Sequence, residues 1–308
     1  MKRVTVILVN WKGTDCTLAC LSSLQKMKTD GIHVVILVVD NASGGDDVRR
    51  IRKAYPEVTV LEQKENLGFA GGNNVGIQYA LRNGSDFVWL LNNDTEVDNN
   101  ALSGLLEVFD KPNVGIAGSK IYFYKGFEFH HDRYKDSERG HVIWHAGGQV
   151  DWANMYASHR GVDEVDDAGK FEEITSVPFV SGCSFMISSE VIARVGLLDE
   201  QYFMYYEDFD YCMKAKKNGF IVKYAPKSIL WHKNSGSTGR PGNNLHEYYL
   251  TRNRLVIGFK YAQLRTKLAL LREAIRQIIK STPIRRRAVI DACIGRMGRQ
   301  YVWQKQIK

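Results

Sequence analysis

The sequence predicts an α/β fold: a central, mostly parallel mixed sheet flanked by helices, with a C-terminal helical extension. Three observations carry that expectation. β-Branched apolar runs at 4–10 (VTVILVN), 33–40 (HVVILVVD) and 86–92 (DFVWLLN) have the composition of strands buried on both faces. Helix-like segments fill the intervals, at about 15–28, 46–55 and 70–83. Strand and helix alternating in this way imply parallel strands joined by right-handed crossovers, whose ligands bind beyond the C-terminal strand ends.

Further along, a helix is expected from about 99. The stretch 112–175, rich in aromatic, histidine and charged residues, is expected to hold loops and a few strands. Strand character returns at 177–188 (VPFVSGCSFMIS), then helices near 189–195 and 207–218, then two strand-like runs, FIVKYAP and SILWHK.

The chain of 308 residues, 44% hydrophobic, is long enough to bury a sizeable core without covalent staples. Its five cysteines are scattered and lack a CxxC pair, which argues against a disulfide framework or structural zinc and fits a reducing cytosol. No apolar run reaches the roughly 18 residues that a spanning helix needs. The short apolar run before Asn10 and Trp11 reads as a first strand, not a leader.

Polar residues gather where the apolar runs stop. Asp40, in VVDNAS, can accept hydrogen bonds from a base or a ribose, or cap the helix near 46. In ENLGFAGGNNVG (65–76), Gly68, Gly71 and Gly72 let backbone approach a ligand, and the helix that follows is expected to offer unpaired N–H groups to an anion. The spacing is not GxGxxG, and an ordinary turn is the other reading. Asp94, in LLNNDT, is placed either to ligate Mg²⁺ or Mn²⁺ beside phosphate oxygens or to satisfy a turn before the next helix.

Glu207 and Asp208, in FMYYEDFDYCMKAKKNG, open a helix among aromatic residues. The helix dipole favours their charge, while desolvation raises a carboxyl pKa toward that of a general base. A simple capping cluster is the alternative. His232, in LWHKNSGST, follows an apolar strand, where a lone histidine is more often structural; in company with Asp94 it would make a carboxylate–imidazole metal pair.

Assembled in order, ILVNW, VVDNAS, NLGFAGGNN, LLNNDT, IWHAGGQVDW, SGCSFMI, LDEQYFMYYEDFDYCMKAKKNG and WHKNSGST resemble the family-2 glycosyltransferases of GT-A fold, in particular their bacterial rhamnosyltransferase-like branch, over about residues 3–255. The resemblance implies a nucleotide-sugar-binding half (1–98), an acceptor-binding and catalytic half of the same domain (99–240) and a basic extension (241–308). It implies that Asp40 reads the base, that Asn10, Asn41, Asn66, Gly68, Phe69, Asn73, Asn92 and Asn93 belong to the nucleotide-sugar pocket, that Asp94 and His232 hold the cation, and that Asp208, paired with Glu207, is the catalytic base. Asn92 stands where many relatives have an aspartate, which lowers the charge facing a cation; Lys214 stands where many have arginine, which bears on bidentate phosphate contacts. The implied chemistry is a single inverting displacement on a nucleotide sugar, dTDP-rhamnose or a UDP-sugar, by a hydroxyl of a glycan or lipid-linked acceptor. The Q-x-x-R-W signature of processive members is missing after His232, where the chain reads HEYYLTRNRL, so transfer of one sugar is expected.

The net charge of +8 sits at the C-terminus, where only Glu273 and Asp291 oppose thirteen Lys and Arg between 260 and 308. Within QLRTKLALLREAIRQIIKS (263–281), leucines and isoleucines recur at helical spacing among basic residues. Such a helix lies on the anionic inner face of a membrane, or packs on its own domain or a second copy in a homodimer. The protein is expected in the cytoplasm, peripheral to the membrane in the first case. A non-catalytic sugar-nucleotide or glycan-binding protein and a nucleotide-dependent oxidoreductase are the rivals, the latter disfavoured by the missing GxGxxG. No recognition motif accompanies the basic tail, so nucleic acid is not expected as a partner.

Overall fold

A computed structural model describes residues 1–167, 169–234 and 243–300. The first part of the chain runs β1 (Lys2–Asn10), α1 (Thr14–Lys26), β2 (Ile32–Asp40), α2 (Asp47–Ala54), β3 (Thr59–Glu62), α3 (Gly68–Arg82) and β4 (Phe87–Asn92). β1 lies between β2 and β4, parallel to both, and β2 carries β3 in parallel at the sheet edge. The register sets Asn10 beside Asp40 and Val9 beside Asn92, so the polar ends of three apolar strands finish together. Strand alternation then decides the two cores. Ile7, Leu37, Val39 and Leu90 face α3, while Val6, Leu8, Val38 and Trp89 face the side packed by α1. Each such side chain taken from water contributes about 1.5–3 kcal/mol.

The second part adds β5 (Thr95–Val97), α4 (Ala101–Glu107), β6 (Val114–Phe123), β7 (Ile143–His145), β8 (Gly148–Asp151), β9 (Tyr156–His159), β10 (Thr175–Ser176), β11 (Ser184–Ser188), α5 (Ser189–Val195), α6 (Glu207–Lys217) and β12 (Ile221–His232). The main sheet has the order β10-β12-β6-β11-β4-β1-β2-β3. β11 enters antiparallel between β4 and β6, and β12 returns parallel to β6. Both halves of the sequence therefore share one sheet.

The stretch 112–175 holds loops and strands as expected, with β6 the longest of those strands, and two other expectations change. All ten residues of β6 are buried, yet its sequence VGIAGSKIYF breaks the apolar run with Ser119 and Lys120. The tertiary structure satisfies both: Ser119 shares hydrogen bonds with Ser184 and Ser228, and the Lys120 ammonium meets Asp166 at 2.9 Å and also Glu172. The strand expected over 177–188 begins only at Ser184, because 177–183 turns away as a loop. The two runs FIVKYAP and SILWHK are one strand, β12, with a register shift between Ala225 and Ile229 where Pro226 lacks an N–H for the ladder.

The extension is helical: α7 (Asn244–Tyr261), α8 (Leu264–Lys280) and α9 (Pro283–Cys293). The end of the motif WHKNSGST, from Ser235, and the basic Lys305 and Lys308 lie outside the described residues.

Candidate active site

A cleft of about 1220 Å³ opens beyond the C-terminal ends of the central strands. Asn41, Asn66, Gly68, Phe69 and Asn73 line it, as do Asn92, Asn93, Asp94, Glu207, Asp208 and His232. Asn10 and Asp40 do not. They lie buried behind it, where the Asn10 amide donates to Asp40 Oδ1 at 2.9 Å and the Ser43 hydroxyl and N–H donate to the same carboxylate at 2.5 and 3.1 Å. In this arrangement Asp40 holds the turn after β2 and does not cap α2, whose N-cap is Asp46.

The asparagines of the glycine-rich segment are also committed to the chain. Asn41 donates to Asn66 Oδ1 (3.0 Å) and Gly68 O (2.9 Å) and accepts from Leu67 N; Asn73 donates to Phe69 O at 2.9 Å. The start of α3 corrects the anion-cradle expectation. Phe69 N and Ala70 N donate to the Phe203 carbonyl at 2.7 and 3.4 Å, and Gly68 N donates to Asn66 Oδ1. These amides are capped by protein oxygen, so the segment joins the β2 side of the cleft to the loop before α6.

That loop leads into the acidic pair at the start of α6. Phe203, Tyr205 and Tyr206 take φ values of 66°, 66° and 72°, in the left-handed region that L-residues enter at about 1–2 kcal/mol each. The compensation comes from α7. The Asn253 amide donates to the carbonyls of Tyr202 (3.2 Å), Met204 (2.8 Å) and Tyr205 (2.8 Å), and the fully buried Arg252 donates to Tyr202 O at 2.8 Å and to Gly298 O at 2.8 Å. Sequence reading passed over these two residues. The available signal was an arginine on the helical face shared by Tyr248 and Leu255, a face otherwise fit for a core.

Asp208, half-buried, accepts from Gly182 N at 2.8 Å on Oδ2 and from Phe209 N at 2.7 Å on Oδ1. Burial raises its pKa, with these amides opposing. Glu207 is buried, and burial followed by the charge of Asp208 raises its carboxyl well above the usual range. Two adjacent carboxyls thus resist ionising together, and the amide-bound Asp208 is the better placed to carry the charge. Lys214 serves elsewhere: its ammonium pairs with Asp210 at 2.8 Å and Asp199 at 3.5 Å, so it makes an internal ion pair where a phosphate contact was considered.

On another wall, His232 Nε2 lies 3.0 Å from Asp94 Oδ1, and both side chains are buried. Trp144 packs edge-on against the His232 ring at 4.6 Å and against His159 at 4.3 Å. Burial, with His232 nearby, pushes His159 down to about 4, which keeps that imidazole neutral. The Asp94–His232 spacing suits a cation. Two donors each about 2.1 Å from a six-coordinate Mg²⁺ and at right angles stand about 3 Å apart. Among the described residues no cluster of three or more His, Cys, Asp or Glu forms a metal cage, so remaining ligands would come from phosphate and water. Asn92 presents no charge here, and the Asn93 amide donates to Thr17 Oγ1 at 2.8 Å.

The fold and this cleft define the class, and comparison with known proteins places the chain within it. Two solved structures share the architecture: GalNAc-T7 with UDP, GalNAc and Mn²⁺ (TM-score 0.62, 17% identity, 82% of this chain and 48% of that one) and the mannosyltransferase PcManGT of Pyrobaculum calidifontis with GDP-Man and Mn²⁺ (TM-score 0.54, 16% identity, 95% and 80%). These likenesses show the GT-A fold. A family model described as glycosyltransferase like family 2 matches residues 2–256, and the chain belongs to that family.

Its relatives include the low-salt glycan biosynthesis hexosyltransferase Agl10 of Haloferax volcanii (23% identical, covering 71% of this chain and 63% of the relative). An N-acetylglucosaminyl-diphospho-decaprenol L-rhamnosyltransferase of Mycobacterium tuberculosis is 26% identical over 70% of this chain and 72% of its own length. The dTDP-rhamnosyl transferase RfbF of Shigella flexneri is 24% identical over 68% and 62%. The chain thus spans just under two thirds of the Haloferax and Shigella relatives.

Proposed function

We propose that this protein is an inverting glycosyltransferase that moves one sugar from a nucleoside diphosphate sugar to a hydroxyl of a glycan or lipid-linked acceptor. The observation that carries the reading is a single cleft lined both by an amide-bound carboxylate, Asp208, and by a carboxylate–imidazole pair, Asp94 and His232. Family membership and the rhamnosyl- and hexosyltransferase names of relatives support it, and dTDP-rhamnose is the first donor to test, with UDP-sugars next.

Asp208 takes the proton from the acceptor hydroxyl as that oxygen attacks the anomeric carbon and the bond to the diphosphate breaks. Its two amide contacts aim the carboxylate and leave further lone pairs on both oxygens for that proton. One displacement inverts the centre, and no carboxylate nucleophile is required. Asp94 and His232 would hold Mg²⁺ or Mn²⁺, which would supply positive charge to the departing diphosphate. Trp144, packed edge-on against the His232 and His159 rings, would limit water beside such a charge and so strengthen its electrostatic contacts.

The deciding experiment incubates a panel of nucleotide sugars with Mg²⁺ or Mn²⁺ and an acceptor panel, and reads product stereochemistry by NMR. An inverted product with one donor is expected. Donor binding without turnover for every pair would favour a sugar-nucleotide-binding protein instead.

A further inference from the structure

We infer that α8 is a docking ridge for an anionic lipid surface, lying in its plane beside the mouth of the cleft. The sequence left two uses open for this helix, packing and membrane contact, and the fold assigns them to different faces. Leu270 and Ala274 are buried against the domain, with Leu270 so close to α7 that a Cβ on Gly258 would stand 2.3 Å from its Cδ1. Arg254 of α7 fixes the orientation, binding Glu273 through both nitrogens at 2.7 and 2.9 Å.

The other face is bare. Leu264, Leu268, Leu271, Ile275 and Ile279 are 47–74% exposed. Their spacing of three and four residues keeps them on one ridge of a 3.6-residue helix. Arg265, Arg272, Arg276 and Lys280 are exposed along one flank of that ridge. The sole acid of α8, Glu273, is already neutralised by Arg254. Apolar ridge and basic flank together match the acyl boundary and the phosphate layer of an anionic leaflet. Charge complementarity thus selects a lipid surface over a second copy, whose own ridge would bring a like-charged flank.

Continuity with the cleft gives the ridge a purpose. Thr266, in the first turn of α8, donates to Trp152 O at 3.4 Å, and the Trp152 ring at the hairpin between β8 and β9 is 45% exposed. Tyr156 of the same hairpin and Gln277 of α8 both line the cleft. An exposed tryptophan beside such a ridge suits the headgroup level of a bilayer. No described helix is long and apolar enough to cross a membrane, so contact is in the plane. Resting on the transferase reading, this geometry selects the lipid-linked form of the acceptor.

The test is co-sedimentation of the full chain with phosphatidylcholine vesicles, with and without phosphatidylglycerol, at low and high salt. Wild type is expected to bind the anionic vesicles and to release at high salt. Arg265→Gln, Arg272→Gln and Arg276→Gln should each weaken partitioning by about five-fold. Leu268→Ser with Ile275→Ser should weaken it by about ten-fold or more, with an unchanged melting midpoint because both side chains are exposed. Equal binding to neutral vesicles, or unchanged binding by the serine variant, would overturn the inference. So would a wild-type dimer in sedimentation velocity that the serine variant dissociates. Turnover of the serine variant on a soluble acceptor tests the transferase reading separately and should match wild type.

Discussion

The carbonyl oxygen of Phe203 sits 2.4 Å from where a Cβ on Gly68 would be, and it caps the N-terminus of α3. Gly68 also has a φ of +73°. This contact joins the glycine-rich segment to the loop that leads into α6 and Asp208, so two motifs far apart in the chain are one mechanical unit.

Gly68→Ala should therefore destabilise the protein by about 3 kcal/mol, from the left-handed backbone and the forced retreat of Phe203. Chemical denaturation measures the loss. Turnover should fall more than donor affinity, since the displaced loop positions Asp208; an alanine variant with wild-type stability and rate would disprove the coupling.

Asn253→Leu tests the same loop from α7. It strands the carbonyls of Met204 and Tyr205 in a partly buried setting, at up to about 1–3 kcal/mol for each unsatisfied group. We expect kcat to drop with little change in the KM for donor. The melting midpoint should fall as well; a purely structural role would lower it and leave the kcat of the folded fraction intact.

Asp208→Asn should lower transfer by about 100-fold or more while donor binding, read by calorimetry, is retained, because a proton acceptor is lost and the shape is kept. Near-normal turnover would refute the base assignment.

The acidic pair also sets a pH dependence. Both folded-state values are raised, so the stability they contribute is complete below the ordinary carboxylate range and is lost as pH rises through the raised values. Glu207→Gln removes one such group. Its melting midpoint should match wild type in acid and exceed it increasingly toward neutral pH, as scanning calorimetry across pH will show. Activity runs the opposite way: transfer rises with pH as Asp208 ionises, with an acid limb above the range of an exposed aspartate.

Asp94→Ala should weaken donor affinity by about ten-fold or more in Mn²⁺, and chelation should abolish the difference from wild type. Unchanged donor binding in Mn²⁺ would count against the cation role.

Much of this was legible from residue order. The apolar runs at 4–10, 33–40 and 86–92 become β1, β2 and β4 because strands buried on both faces need little beyond their own composition. α8 is likewise readable, since its period of apolar residues is local. β6 was not, because Ser119 and Lys120 look like loop residues until Ser184, Ser228, Asp166 and Glu172 arrive from distant positions to satisfy them.

The site divides in the same way. Sequence by itself determined which residue types stand at the strand ends and that Glu207 and Asp208 open a helix, since these follow from patterns a few residues long. Only the tertiary structure decided that Asp94 meets His232 across 138 positions, that Asp40 turns inward to Asn10 and Ser43, and that Phe203 caps α3. Those are long-range pairings of polar groups, fixed by which strands neighbour one another in the sheet, and no local pattern specifies that order.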